Sequence, residues 1–395
     1  MLKSLLNTFH RFKKLLPNRI KRKKKNGHWS TATPPPINDP EIEIKEHLID
    51  VKECQENLKK LKETFVKTDF VSFIGAGTSE LTGVPSWESL VDQLCKKANI
   101  QFNENDNLIV KASEAKSALK KTGKLNAYYE CLEEQMRGLS TGGTKFHLMV
   151  VNIFDRHITT NFDSIAYNHY KEKKGKGDFQ AIPNLDFKRF KNKEKPFVFL
   201  HGYIGGKFVI LEEEIYNHYY PAVSDEWGSK EIELFLKEVC KNFSVVFFGV
   251  SFSDDYLHKT FRKVILALTQ DTATNSSNRP HFLIVDESAL NMTGFNLIDL
   301  NKKIKNIDMQ NLKTIFIKQD YIDNEGNFRI EKFHDFLKFT HSNGSLQIYI
   351  QNLGKKVYDW FENFHNINVF PIVYKKKAHI FIENVLSAVS SCKER

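Results

Sequence analysis

Four apolar stretches of the chain run straight into glycine or into a small polar or titratable side chain. Phe70–Ile74 meets Gly75-Ala76-Gly77-Thr78-Ser79, and His157–Thr160 meets Asn161-Phe162-Asp163. Phe197–Leu200 meets His201-Gly202, and Val245–Phe248 meets Gly249-Val250-Ser251-Phe252-Ser253-Asp254. The first is a candidate phosphate-binding turn. Gly75 permits a tight turn, Gly77 lets backbone approach a diphosphate, and N–H groups at a helix start supply positive partial charge. Glu80 stands where the dinucleotide fingerprint G-x-G-x-x-G has its third glycine, so the motif is incomplete. The plainer reading is a tight strand-to-loop turn. The other residues have plain readings too. Asn161 could be a strand-end turn residue, and His201, one of 14 histidines, a structural one. Asp163 could cap a helix over 164–170, and Ser251 and Asp254 could cap the helix that follows them.

These residues need a frame to bring them together. Asp39-Pro40 reads as a helix start, with a helical pattern from about Glu41 to Phe65. Further helical patterns fall near 87–100, 107–138, 143–153, 228–242 and 255–270. Short apolar strands fall at 70–74, 157–160, 196–200, 207–211, 244–249, 281–285 and 313–317. Strands that alternate with helices and are apolar throughout predict an α/β fold, a parallel sheet covered on both faces. Ligands of such sheets bind beyond the carboxyl ends of the strands, where the strand order reverses, and that is where the four polar segments fall. Gln270–Pro280 is a polar loop, and residues 343–395 lack the alternation and read as mostly helical.

Composition narrows the class. The chain has 395 residues, 41% apolar and 27% charged, ordinary for a globular protein. Its longest apolar runs fall far short of the ~20 residues of a membrane-spanning helix. The net charge of +10 sits on one arm: residues 1–38 hold ten Lys or Arg and no acid, and the other 357 carry 48 charges of each sign. The body is therefore not a basic nucleic-acid binder. In the arm, Leu2, Leu5, Leu6, Phe9, Phe12, Leu15 and Leu16 have helical spacing, Pro17 ends the pattern, and Lys21–Lys25 is a solid basic run. It lacks the apolar core of a secretory signal. The arm could lie on an anionic membrane surface, touch nucleic-acid phosphates, dock an acidic partner or neighbouring subunit, or be a solvated tail. Cys54, Cys95, Cys131, Cys240 and Cys392 are odd in number, widely spaced and without a C-x-x-C pair. That pattern is neither a disulfide framework nor a zinc ribbon, and it fits a cytoplasmic compartment.

The motifs taken together resemble those of the SIR2-like (sirtuin-type) NAD-binding domain. Phe73-Ile74-Gly75-Ala76-Gly77-Thr78-Ser79 with Gly83-Val84-Pro85-Ser86-Trp87 resembles its opening, and Thr159-Thr160-Asn161-Phe162-Asp163 its T-x-N-x-D. Leu200-His201-Gly202 resembles its H-G, and Gly249-Val250-Ser251 its G-x-S loop. The resemblance covers about Thr64 to Asn343 and implies a Rossmann-like doubly wound sheet. It divides the chain into an arm (1–38), a SIR2-like domain (39–343, with a helical insertion at 87–153) and a C-terminal extension (344–395). Two departures matter. The paired zinc-binding cysteines of sirtuin deacylases are missing, so no metal is expected. Val84-Pro85-Ser86-Trp87-Glu88-Ser89 replaces their G-I-P-D-F-R. The P-S-W form is similar to SIR2-like domains of bacterial anti-phage defence proteins, which act as NAD hydrolases, some with a HerA-type ATPase partner and others with a fused sensor domain.

That resemblance implies NAD+ as substrate, with nicotinamide and ADP-ribose as products. Breaking the nicotinamide–ribose bond passes through an oxocarbenium-like state with a pyridinium leaving group, so the protein must position the ring and supply a nucleophile rather than protonate. Asn161 and His201 are the implied catalytic pair. The Asn161 amide can donate to a ribose hydroxyl while accepting from a water, and His201 suits a general base. Asp163 would contact the nicotinamide amide or fix the Asn161 loop. Gly75, Ala76, Gly77, Thr78, Ser79, Gly249 and Ser251 would bind the dinucleotide. Trp87 reads as core or pocket wall, Glu212-Glu213-Glu214 as a solvated first helical turn, and Lys171–Lys176 as a surface loop. The alternatives are a protein deacylase or ADP-ribosyltransferase, a non-catalytic NAD or ADP-ribose sensor, and a nucleic-acid module resting on the arm alone. Constant NAD loss would kill a host, so a hydrolase of this kind is expected to be silent until triggered. Homo-oligomerisation or a partner is the expected switch, with the arm or the residues after 343 as contacts.

Overall fold

In the computed structural model the described residues are 51–103, 106–137, 144–175, 179–193, 196–204, 208–221, 228–250, 255–270, 279–286, 308–319, 321–322, 336–339, 344–374 and 380–393, with Ile44 and Leu48. The strands are β1 (Phe70–Ile74), β2 (Arg156–Thr159), β3 (Phe179–Ala181), β4 (Phe197–Phe199), β5 (Gly202–Tyr203), β6 (Phe208–Val209), β7 (Ser244–Phe248), β8 (His281–Asp286) and β9 (Val369–Tyr374). The helices are α1 (Lys52–Lys67), α2 (Trp87–Ala98), α3 (Leu108–Lys121), α4 (Leu125–Arg137), α5 (Lys145–Ile153), α6 (Ile165–Lys174), α7 (Phe187–Asn192), α8 (Glu213–Tyr219), α9 (Glu231–Asn242), α10 (Asp255–Gln270), α11 (Met309–Lys318), α12 (Gly344–His365) and α13 (Ile380–Lys393).

β1 and β7 are buried at every position, as their unbroken apolar composition requires of strands covered on both faces. They lie side by side in a seven-stranded sheet of order β3-β4-β2-β1-β7-β8-β9, every pair parallel. The chain runs outward from β1 through β2 to β4 and β3, then returns to β7 and runs outward through β8 to β9. The order therefore reverses between β1 and β7, and the fold is α/β and Rossmann-like, doubly wound. Phenylalanines fill the core: Phe73 meets Phe247 at 5.1 Å and Phe261 at 5.5 Å, and Phe248 meets Phe146 and Phe154 at 5.5 and 5.8 Å. β5 and β6 form a separate antiparallel hairpin.

The insertion expected over 87–153 is smaller than its pattern. Helices α2, α3 and α4 share a second apolar cluster, built on Leu90, Leu94, Ala112, Ala115, Tyr128 and Leu132 and closed by Val209 and Leu211. Helix α5 instead places Phe146, Val150 and Val151 in the main core. The single helical pattern over 107–138 is two helices, broken where Gly123 turns left-handed at φ +72°.

One further expectation is corrected and another is completed. Residues 313–317 are helix, not strand: they lie inside α11, where Asp308 caps the Gln310 and Asn311 N–H groups. Leu312 and Phe316, four apart, are buried while Ile317 is 50% exposed, a helical period that a short apolar run conceals. Residues 344–395 are mostly helical, as expected, in α12 and α13, but they also supply β9, the seventh strand. Pro371 disguised it, but a proline is tolerated at an edge, and β9 pairs with β8 on one side and meets Leu48 by one bridge on the other. Helix α13 packs on α1 and α5, with Lys145 and Glu383 2.9 Å apart. Residues 39–395 form one compact unit. The basic arm and the Asp39-Pro40 helix start lie outside the described residues.

Two histidines are locked in this core. His281 accepts the Val245 N–H at 3.2 Å, and burial, aided by Arg279, pushes its ring down to about 3. His147 is pushed down to about 4 by burial and then by His169. Both are neutral in the fold and protonate in the unfolded chain near 6.5. The unfolded state thus binds more protons below that pH, and stability falls as pH falls. The urea midpoint should drop steadily from pH 6.5 towards pH 4, each site contributing up to about 1.4 kcal/mol per pH unit. A flat midpoint over that window would contradict neutral burial.

Candidate nucleotide site at the switch point

Beyond the carboxyl ends of β1 and β7 two loops meet backbone to backbone. The Gly75 N–H donates to the Phe248 carbonyl at 2.8 Å, and the Gly77 N–H to the Gly249 carbonyl at 3.1 Å. A Cβ on Gly75 would lie 2.5 Å from the Gly249 oxygen, and one on Gly249, at φ +62°, would lie 2.6 Å from the Thr78 nitrogen. The glycines at 75 and 249 are therefore required by the fit of one loop on the other. The turn itself is two short 3-10 turns, Ala76–Thr78 and Glu80–Thr82. The Thr78 and Ser79 N–H groups donate back to the Gly75 and Ala76 carbonyls, so the Gly75, Gly77, Thr78 and Ser79 N–H groups are all engaged within the protein. The phosphate-cradling role expected of these donors is not the role they have in this state.

Asn161 reaches this turn from the end of β2. Its Nδ2 donates to the Gly75 carbonyl at 3.1 Å and to Ser79 Oγ at 2.9 Å. Its N–H donates to Thr159 Oγ1, which donates to the Ile74 carbonyl. Both amide hydrogens are thus engaged, while Oδ1 is buried without a hydrogen-bond partner. A buried carbonyl oxygen left unpaired is costly, so what the amide can offer a ligand is acceptance from a hydroxyl or a water. Asp163 caps α6 through the Ile165 N–H at 2.9 Å. Burial raises its carboxyl above the usual range, opposed by bonds from Ile165, Ser79, its own N–H and Asn161. It therefore helps to fix Asn161 and caps a helix at once.

His201 arrives from the neighbouring strand in step with Asn161. Thr159 of β2 pairs with Phe199 of β4, and Asn161 and His201 each lie two residues beyond that pair. Both are buried, at 6% and 3% exposure. Gly202 follows because the chain turns left-handed there at φ +75°, and a Cβ would lie 2.1 Å from the Phe208 carbonyl oxygen. The His201 carbonyl accepts the Ile210 N–H at 2.8 Å, which sets the hairpin of β5 and β6. Gly75, Ser79, Asn161 and Asp163 are thus joined by hydrogen bonds, Gly249 by backbone contact, and His201 by register. Ser251 and Asp254 lie outside the described residues.

Three features escaped sequence reasoning. Glu212, expected in a solvated turn, is 5% exposed. It accepts the Tyr128 hydroxyl at 2.7 Å and lies 3.0 Å from the Lys116 ammonium. Burial works against the Lys116 charge, but Glu212 more than offsets it and holds the amine above its ordinary value. A run of three glutamates carried no sign that the first turns inward. Tyr216 and Tyr220 were also missed. Their i, i+4 spacing puts both rings on one side of α8, and Tyr220 and His201 Nε2 are in hydrogen-bond contact at 2.5 Å. Trp87 stacks on Tyr216 at 6.3 Å as a wall. Among the described residues no cluster of three or more His, Cys, Asp or Glu could hold a metal ion, and no helix is long and apolar enough to cross a membrane.

Residues 155–308 match the family model of the SIR2-like domain. The chain carries a SIR2-like domain. The match takes in Asn161, Asp163, His201 and Gly249 and begins after the glycine turn of β1. No curated protein matches the chain. SIR2-like domains use NAD+.

The loop contact is tested by two glycines with similar backbone angles. Gly123 is left-handed with nothing within 4 Å of a Cβ, whereas a Cβ on Gly249 meets backbone. Gly123→Ala should cost about 1–2 kcal/mol in urea unfolding, the left-handed penalty alone. Gly249→Ala should cost clearly more, and equal losses would show that the loops are not in tight contact.

Proposed function

We propose that the domain hydrolyses NAD+ to nicotinamide and ADP-ribose. The observation that carries this is Asn161: its hydrogens are tied to the glycine turn, its Oδ1 is unpaired, and His201 stands in register one strand away. The substrate supplies a good leaving group, because neutral nicotinamide departs with the electron pair of the broken ribose–nitrogen bond. Asn161 Oδ1 accepts from a ribose hydroxyl or from the attacking water and holds it beneath the ring carbon. His201 takes the proton that the water loses as its oxygen bonds to that carbon. Asp163 and Ser79 keep the Asn161 amide from rotating.

The Pro85-Ser86-Trp87 form and the lack of paired cysteines favour the hydrolase of an anti-phage defence system over a protein deacylase. In that reading the chain depletes NAD+ and is silent until it assembles with further copies or with a partner such as a HerA-type ATPase. The chain should be assayed alone and with its gene neighbour, following nicotinamide and ADP-ribose by chromatography. Asn161→Ala and His201→Ala should each lower release by 100-fold or more, within the ~10²–10⁴ range of general-base catalysis. Unchanged release from the activated variants, or deacylation of an acyl-peptide in its place, would overturn the reading.

A further inference from the structure

Helix α8 is bonded at its start to the α2–α4 insertion and past its end to His201. Glu212 Oε1 accepts the Tyr128 hydroxyl of α4 at 2.7 Å and stands 3.0 Å from the Lys116 ammonium of α3. Burial, and then the Glu212 charge, pushes the Tyr128 phenol well above its ordinary value, so it stays protonated and donates. Glu212 Oε2 is buried without a hydrogen-bond partner, so the carboxylate relies on those two groups. The next residue adds a further tie, the Glu213 N–H donating to Ser113 Oγ of α3 at 2.8 Å. At the other end Tyr220 is in hydrogen-bond contact with His201 Nε2, and the rings of Tyr216 and Tyr220 stand edge-on to the imidazole at 5.7 and 5.6 Å. The segment leading into α8 is shared in the same way. Val209 and Leu211 close the insertion's apolar cluster, while Ile210 between them lies in the main core and donates its N–H to the His201 carbonyl at 2.8 Å.

We propose that Glu212 is a positioning residue: its carboxylate fastens α8 to α3 and α4, so that the insertion sets where the Tyr216 and Tyr220 rings lie on His201. This rests on the hydrolase reading for the step that His201 performs. The fastening is strong because the charge is buried, at 5% exposure. Removing one partner of such a pair strands the other charge, whereas replacing both by neutral groups of similar size is often harmless. One ladder carries the position onward: the Glu212 carbonyl accepts the Tyr216 N–H at 2.9 Å, and the Tyr216 carbonyl the Tyr220 N–H at 2.8 Å. Helix α8 has only seven residues, so a shift at Glu212 moves both tyrosines with it. Glu212 acts through α8 and takes no part in the chemistry.

The test follows amide hydrogen exchange along the full chain and the ring signals of His201, identified by their loss in His201→Gln. In the unaltered protein the α8 amides should open in one step with those of α3 and α4 as urea is raised. Separate opening of α8 overturns the proposal, whether or not any variant folds. In Lys116→Met the α8 amides should exchange tenfold or more faster, those of β1 and β7 should keep their rates, and the His201 ring signals should move. In the activated complex kcat should fall tenfold or more, with KM within threefold. Lys116→Met combined with Glu212→Gln, which removes both charges, should bring exchange, ring signals and kcat back to within threefold of the unaltered protein or to its positions. The proposal is overturned by a folded Lys116→Met whose α8 exchange, His201 signals or kcat is unchanged. It is also overturned by a loss of protection that spreads equally to β1 and β7, or by a double variant no better than the single one. Exchange and ring signals do not depend on turnover. If the activated protein leaves NAD+ intact while both behave as described, the hydrolase reading fails and the tie from Glu212 to His201 stands.

Discussion

The Gly75 loop and the Gly249 loop touch through backbone alone, and the rest of the site depends on how close that contact is. Parallel strands leave a crevice where their order reverses, but a crevice is not a site until something fixes its rims. Here the rims fix each other. Two N–H···O=C bonds cross between the loops, and neither glycine has room for a side-chain carbon. The Gly75 carbonyl, oriented by that contact, becomes an anchor for both the Asn161 amide and the Thr78 hydroxyl. Thus the position of a candidate catalytic amide is set by the packing of two loops more than 150 residues apart in the chain.

The candidate pair is held in two different ways. Asn161 is held by polar contacts from the turn and from Asp163, which leave it one acceptor. His201 is held by the edges of Tyr216 and Tyr220 and by the Tyr220 hydroxyl, among its contacts. The first arrangement belongs to the sheet, since β1 and β2 carry every group in it. The second belongs to α8, whose start is tied through Glu212 to the α2–α4 cluster. Glu212 is costly to bury unless paired, so its partners on α3 and α4 make the insertion part of the site's support.

The strands around the switch point were legible because each is apolar throughout and stops at glycine or a polar residue. Gly75, Gly77, Asn161, His201 and Gly249 were legible for the same reason. The function of the glycines was only partly so, because nothing in a G-A-G string tells whether the close approach is by a ligand or by another loop. The run Lys313–Ile317 was misread since five residues cannot separate a buried strand from a helix face. The strand Val369–Tyr374 was hidden by Pro371, which is compatible with an edge but not with a centre. Glu212 and Tyr220 were illegible in a stronger sense. Their partners, Lys116, Tyr128 and His201, are distant in sequence, and only the folded chain brings a charge to a charge and a phenol to an imidazole.

The place of β9 has a bearing on how this protein is made. Its strand pairs directly with β8, yet 82 residues separate the end of one from the start of the other. A polypeptide leaving the ribosome would present the outer side of β8 as an unpaired ladder until residues 369–374 had emerged. Domains tend to fold as units during synthesis, and open strand edges invite pairing with other chains. Completion of this sheet therefore waits until 82 further residues have followed β8, and until then its open edge is exposed to pairing with other chains.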